Sequence, residues 1–337
     1  MLTLFTQNSF RQSLVNKRGF EAVSHTQSHT ITHTMSKDSV FTVSLSDRGL
    51  NDLKGEVYGA YTPGGISEDA LMAQVARMHN DGTYGTDVQI YHLNSACCHG
   101  MRPEEEALIS DGTGKLPRAK VVVIRNFVQH IFGADAAKQT RDVLCGMHYD
   151  TTCQSNYGNK LVNQLARHTT MLFPDQDVVV TDEERLAGKA SVNNLNLLPV
   201  VKAAVALMQQ QFDINLPVAE INRYYDPAKC GLGWHGDAER NINMILRFGE
   251  RSVEMPLKFQ WFYNRSPYGA IMEVPLHEGD LLIFSHRALG TDCWKPPLAR
   301  PTLRHAVGAY AKPKPTKEEK DAKRQAKKRK QEQLWAS

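Results

Sequence analysis

His235 and Asp237 stand two residues apart within residues 222–241 (NRYYDPAKCGLGWHGDAERN). Residues two apart on an extended strand point to one face. One imidazole and one carboxylate can therefore take neighbouring positions on a single metal. A non-haem iron(II) centre needs two imidazoles and a carboxylate on one side, with its other positions left open. A His-x-Asp pair alone is weak, because His148-Tyr149-Asp150 is a second copy in the same chain. The residues downstream separate the two copies. After Asp237 comes His286, at the end of the apolar run 279–285 (GDLLIFS), and then Arg304 opens the run 304–308. A guanidinium there can form a two-pronged ion pair with a carboxylate. After Asp150 the next histidines are His168 and then His235, and the His148–Asp150 pair reads as an ordinary surface or turn pair.

Taken in this order, residues 119–310 resemble the 2-oxoglutarate- and Fe(II)-dependent dioxygenases, in their AlkB-like branch. The resemblance is carried by Asn222-Arg223-Tyr224, an extended loop, His235-Gly236-Asp237, the Gly279-Asp280 turn before an apolar strand, and a last strand led by Arg304. It implies an α+β fold built on a double-stranded β-helix (jelly roll) with flanking helices. It implies Fe(II) held by His235, Asp237 and a distal His, and 2-oxoglutarate held by Asn222, Tyr224 and Arg304. The chemistry implied is oxidative decarboxylation of 2-oxoglutarate coupled to hydroxylation of a substrate C–H, which on an N-methyl group releases formaldehyde. The usual place of the distal His falls near residues 292–294, where this chain has none. His286 is preferred because it keeps the expected distance to Arg304; Asp292 and His305 are the alternatives. Arg304 and His305 alternate along a strand, so both should not face one cavity. Where nucleobase-acting members often carry a second arginine, this chain has Tyr310.

The resemblance also sets expectations for the substrate. Arg167, in the segment 166–171, lies where AlkB-like proteins carry a nucleotide-recognition segment. Trp234, beside His235, is placed to stack on a flipped base. Trp261, Phe262 and Tyr263, with Lys258 and Arg265, give an aromatic–basic mixture suited to single strands. Core packing is the plain alternative for each aromatic. The expected activity is hydroxylation or demethylation of a modified nucleobase in DNA or RNA. Two other readings stand beside it: a protein side-chain hydroxylase, and a catalytically silent nucleic-acid-binding module in which the distal ligand is lost.

The elements that position these residues are legible from pattern. Ser67 caps a helix through His79 with Leu71, Val75 and Met78 on one face. Residues 120–127 (KVVVIRNF) read as a buried strand, 134–145 as a helix, and 199–211 as a helix with Pro199 at its start. Beyond 217 the texture changes to strands at 221–225, 253–263, 271–276, 281–285 and 302–310, with a turn at 264–267. Helices first and antiparallel strands later argue for α+β with a sandwich or barrel-like β core.

Length and charge bound the rest. With 337 residues and 41% hydrophobic content, the chain can bury a sizeable core. The formal charge of +4 is uneven: residues 311–337 hold ten Lys/Arg against four acids, leaving the other 310 residues at −2. That excludes a uniformly basic nucleic-acid-coating protein. The organisation expected is a leader at 1–37, an extension of open role at 38–118, the dioxygenase-like domain at 119–310 and a basic tail at 311–337. The Ser/Thr/His-rich, acid-poor leader reads as transit-like or disordered. The tail, with Lys327-Lys328-Arg329-Lys330, reads as a nuclear-localisation signal, a phosphate-binding arm or a solvated tail. Six cysteines without a CxxC pair exclude a disulfide scaffold and favour a reducing compartment. Inside the cell, nucleus and organelle both stay open. No apolar run is long enough to span a bilayer.

Overall fold

The computed structural model describes residues 39–311, apart from 52–55, 83, 85–86, 95–117, 156–159, 251–252, 294 and 296–300, together with 324–325. The leader, the loop at 111–114 and nearly all of the tail lie outside the described residues.

In chain order the strands are β1 (Val40–Ser46), β2 (Arg48–Asn51), β3 (Glu56–Gly59), β4 (Val88–His92), β5 (Lys120–Ile124), β6 (Thr152–Gln154), β7 (Leu161–Asn163) and β8 (His168–Phe173). They continue as β9 (Val192–Asn194), β10 (Val218–Tyr224), β11 (Gly231–His235), β12 (Asn243–Phe248), β13 (Leu257–Tyr263), β14 (Ser266–Val274), β15 (Leu281–Phe284) and β16 (Pro301–Gly308). The α-helices are α1 (Glu68–Asp81), α2 (Phe127–Phe132), α3 (Ala136–Gly146), α4 (Asp182–Leu186) and α5 (Pro199–Phe212). The expected α+β class is what the chain adopts.

Two sheets carry the architecture. The larger has eight strands in the order β4-β5-β15-β12-β1-β10-β8-β9, and the smaller has four, β11-β16-β13-β14. Period-two alternation explains how they stack. Phe41, Val43 and Leu45 of β1, Val122 and Ile124 of β5, Met244, Leu246 and Phe248 of β12, and Leu281 and Ile283 of β15 share one core cluster with Leu71, Val75, Leu144, Val201 and Met208 of the helices. The intervening Val121, Val123, Leu282 and Phe284 instead join Leu257, Phe259, Trp261, Leu303 and Val307 of the smaller sheet. The layers are therefore helices, large sheet, small sheet, with one apolar core on each side of the large sheet.

β1 is the unexpected member. Its residues fall in the stretch read as an extension, yet it lies between β10 and β12 and pairs antiparallel with both, Thr42 opposite Asn222 and opposite Arg247. From β10 onward the chain passes between the sheets: β10 large, β11 small, β12 large, β13 and β14 small, β15 large, β16 small. The place between β10 and β12 is filled from the N-terminal side of all of them.

Local signals account for most boundaries. Ser67 Oγ accepts from the Ala70 amide at 3.1 Å, and α1 ends at Gly82 with φ 64°, the left-handed stop that glycine adopts without cost. Pro199 opens α5. The expected turn at 264–267 is tighter than read: Asn264 and Arg265 alone take positive φ, 46° and 68°, the two-residue hairpin geometry whose twist matches its strands. Ser266 and Pro267 already belong to β14.

His168, on β8, is buried and its ring stacks on Tyr225 at 4.4 Å. Burial, and then the nearby Arg223, lowers its pKa to about 4, against about 6.5 in an unfolded chain. Between those values the unfolded chain binds the extra proton, so stability rises with pH through that window. Charging the buried ring therefore costs the fold up to about 3 kcal/mol as pH falls from 6.5 to below 4, a cost absent above pH 6.5. His168→Phe keeps the stack and should flatten that part of a melting-temperature against pH profile. An unchanged slope would refute the assignment.

Among the described residues, no helix is long and apolar enough to cross a membrane.

Candidate metal centre

The site forms where the facing sides of the two sheets turn polar. The residues of β1, β10 and β12 that point away from the helices are Thr42 and Ser44, Glu220, Asn222 and Tyr224, and Asn243, Ile245 and Arg247. With His235, Asp237 and His305 they line a cavity of about 260 Å³. Leu232, Met255, Leu257, Leu276 and Val307 add apolar wall, and Arg167, Glu239 and Arg240 add charged groups. Asn222 and Tyr224 thus stand where the sequence reading placed them, in one cavity with the His-x-Asp pair.

β11 delivers His235 through a bulge. Leu232 faces Val307 and His235 faces His305, so three steps on β11 match two on β16. One extra residue rotates the strand, and Leu232 and His235 both reach the cavity although they stand three positions apart. The His235 Nδ1 lies 2.7 Å from the Gly233 carbonyl oxygen. A carbonyl only accepts, so Nδ1 carries the hydrogen and Nε2 is left as the ligand atom. Burial, then the neighbouring His305, lowers the His235 pKa to about 4, which keeps the ring neutral and able to coordinate.

Asp237 lies just beyond β11. Its amide donates to Leu289 O at 2.9 Å, and its Oδ2 accepts from Asn243 Nδ2 at 2.9 Å. Oδ1 faces the two histidines, 3.7 Å from His235 Nε2 and 3.4 Å from His305 Nε2. Burial pushes this carboxyl's pKa up, but His305 and then Arg240 outweigh it and hold the group below the usual carboxylate range. Gly236 between the ligands is required by space: a Cβ there would lie 2.1 Å from Gly290 O.

The third member corrects the preferred assignment. His305, not His286, joins His235 and Asp237, and one ligand atom from each lies within 4.8 Å of the others. β16 explains why. Leu303 and Val307 point into the core between the sheets, so His305 between them points the same way and packs against Phe259 and Phe284. His286 opens the 3-10 turn His286–Leu289 after β15. Its amide donates to Ile66 O at 2.7 Å, and its Nδ1 lies 3.3 Å from Asn241 O, on the far side of the loop that carries Asp237. Asp292 sits 3.9 Å from Arg287 Nη1 and is not in the cluster.

The same alternation displaces Arg304. Its guanidinium lies over the Phe262 ring at 4.5 Å, on the face of the small sheet opposite His305, and it does not line the cavity. Three arginines do: Arg167, bonded to Asn222, Arg240, paired with Glu220 and Glu239, and Arg247, to which the sequence reading gives no role. Arg247 is 2% exposed, its Nη2 donates to Met255 O at 3.2 Å, and its Nη1 has no partner among the described residues. Burial lowers its pKa to about 10, so it stays charged at neutral pH. A buried guanidinium with an unused N–H is costly unless an anion completes it. Beside it, the Tyr224 hydroxyl bonds the Thr42 side chain.

The expected substrate contacts divide. Arg167 lines the cavity and its Nε donates to Asn222 Oδ1 at 2.5 Å. Trp234 does not; its ring packs on Phe262 at 5.9 Å, on the opposite face of the sheet. Trp261 is fully buried with Nε1 donating to Leu93 O at 3.3 Å, and Lys258 pairs with Glu273 at 2.6 Å. Neither Trp261 nor Lys258 forms a stacking platform. The second His-x-Asp copy meets its expectation only in part: it lies in a loop with His148 exposed, but Asp150 is not at the surface. Asp150 is buried and accepts from Arg185 at 2.7 Å and from the Ser191 amide and hydroxyl at 2.8 Å each, which ties α4 to the edge of the large sheet.

No protein-family model matches the chain. A 120-residue segment, 36% of this chain, is 39% identical to an uncharacterized protein of Acanthamoeba polyphaga mimivirus. The matched segment spans 46% of that viral protein.

Proposed function

We propose that this chain is an Fe(II)- and 2-oxoglutarate-dependent oxygenase on a jelly-roll core, acting on a modified nucleobase in DNA or RNA. The observation that carries this is the sharing of one cavity by a two-imidazole, one-carboxylate cluster and a buried arginine with an unused N–H. That ligand set suits a first-row divalent metal with positions left open, and Arg247 suits a carboxylate. The jelly-roll reading rests on β15-β12-β1-β10 facing β11-β16-β13-β14, with β1 in the closing position.

His235 Nε2, Asp237 Oδ1 and His305 Nε2 would hold the metal, and Arg247, Tyr224 and Thr42 would hold the distal carboxylate of 2-oxoglutarate. The pair supplies, when bound, the oxidant that hydroxylates a substrate C–H. The protein's own part is to fix these groups on rigid strands and keep water out. Leu232, Ile245, Met255, Leu257, Leu276 and Val307 line that space with apolar surface. Arg167 at the cavity supports a polar or anionic substrate. His305, grouped with His235 and Asp237, supports the catalytic reading over the silent module.

The test is succinate release from 2-oxoglutarate in the presence of Fe(II) and ascorbate, with panels of methylated oligonucleotides and of peptides. We expect turnover stimulated by an oligonucleotide and abolished in Asp237→Ala. Stimulation by peptides alone would replace the substrate class, and no succinate with any substrate would refute the oxygenase reading.

A further inference from the structure

Asp237 stands outside the ladder that ends at His235, and the loop from it to β12 gets its position from elsewhere. Residues of the N-terminal segment supply most of that position. Asp47 is 1% exposed; its Oδ1 accepts from the Asn241 amide at 3.1 Å and the Ile242 amide at 3.0 Å. Its Oδ2 accepts from the Thr62 amide at 2.6 Å. Around it, Arg48 Nη1 donates to Glu239 O at 2.8 Å, Tyr61 Oη donates to Ala238 O at 3.0 Å, and Asn241 Nδ2 donates to Thr62 O at 3.0 Å. Arg48 also donates to Tyr61 Oη at 2.8 Å, which joins the two outer anchors.

We propose that Asp47 is a positioning residue for the metal carboxylate, with Arg48 and Tyr61 as its outer supports. The inference rests on the reading of His235, Asp237 and His305 as a metal site. The connection is short. Asp47 fixes the amides of residues 241 and 242, the next residue is Asn243, and Asn243 holds Asp237 Oδ2 so that Oδ1 faces the imidazoles. Ser46, the residue before Asp47, is opposite Asn243 in the β1–β12 register. One buried carboxylate therefore sets both ends of the link between the β1 terminus and the ligand. Its three acceptor contacts to backbone N–H groups suit an anion, and an amide in its place would set N–H against N–H at one of them.

The test uses the full chain with Co(II) as the probe, following its visible absorption band together with melting of the metal-free protein. Partners beyond the ligands carry about 10- to 100-fold of metal affinity. We expect Asp47→Asn to weaken Co(II) binding by about that factor and to alter the band. The double variant Arg48→Ala, Tyr61→Phe removes only outer contacts; it should weaken binding several-fold while metal-free melting stays put, and it decides the matter should Asp47→Asn not fold. Variants that melt lower yet bind Co(II) with wild-type affinity and band would overturn the inference alone. A wild-type chain that takes up no Co(II) would overturn the metal reading and this inference with it.

Discussion

His305→Ala should abolish metal binding at the proposed site, whereas His286→Ala should leave metal stoichiometry at its wild-type value. The expectation follows from the two environments. His305 Nε2 is 3.4 Å from Asp237 Oδ1, and its ring lies 4.3 Å from that of His235. Removing it leaves a single imidazole and a carboxylate, too few for a facial set. The loss in affinity should exceed the roughly 100-fold that outer partners can carry. His286 points to the Asn241 carbonyl and packs on Gly65, so its truncation disturbs a turn and not a ligand. Because His305 is buried against Phe259 and Phe284, His305→Gln is the better-filled companion variant and should lose metal as well. Metal per chain, measured by elemental analysis after Fe(II) or Co(II) loading, reads the result. Full stoichiometry in both His305 variants would refute the triad.

The second large effect belongs to Arg247. Arg247→Met should raise the KM for 2-oxoglutarate by about two orders of magnitude, since truncating one side of a buried charged pair costs about 2–5 kcal/mol. Stability should move the other way or not at all. Without a ligand the guanidinium is a buried charge with one N–H unused, and an apolar replacement of similar length relieves that cost. Arg304→Gln, on the opposite face against Phe262, should leave the KM for 2-oxoglutarate near wild type. Reversal of the two results would restore Arg304 to the role that the sequence reading gave it.

The residues themselves show why one assignment was legible and the other was not. His235-Gly236-Asp237 is marked as a candidate metal pair by the residues that follow it and not by its own spacing, which His148-Tyr149-Asp150 shares; Asn222-x-Tyr224 falls on one face of β10 by simple alternation. His305 was discounted because it alternates with Arg304, a correct premise applied without knowing which face looks inward. Leu303 and Val307 carried that information: the apolar frame of β16 runs through the odd positions, and His305 is in frame. Arg247 was legible in the same way, out of frame with Met244, Leu246 and Phe248 and in frame with Asn243. The bulge in β11 left no such mark, because a one-residue slip between Leu232 and His235 depends on pairing with a strand some 70 residues later. The alternation of Phe41, Val43 and Leu45 with Thr42, Ser44 and Ser46 fits a strand, but the stretch is read from sequence only as part of an extension of open role, and nothing local says that it lies between β10 and β12.

That placement of β1 has a consequence for how the chain reaches its native state. β1 leaves the ribosome before both its neighbours, which, opposite Val40 at Tyr224 and opposite Phe41 at Phe248, lie about 180–210 residues downstream. Contacts this distant in sequence slow folding. Until β1 inserts, two strand edges in the middle of the large sheet stand open to any chain that offers a matching segment. A second molecule's β1 is such a segment, so high concentration during refolding should favour strand-exchanged pairs in which each chain's Thr42 and Ser44 line the other's cavity.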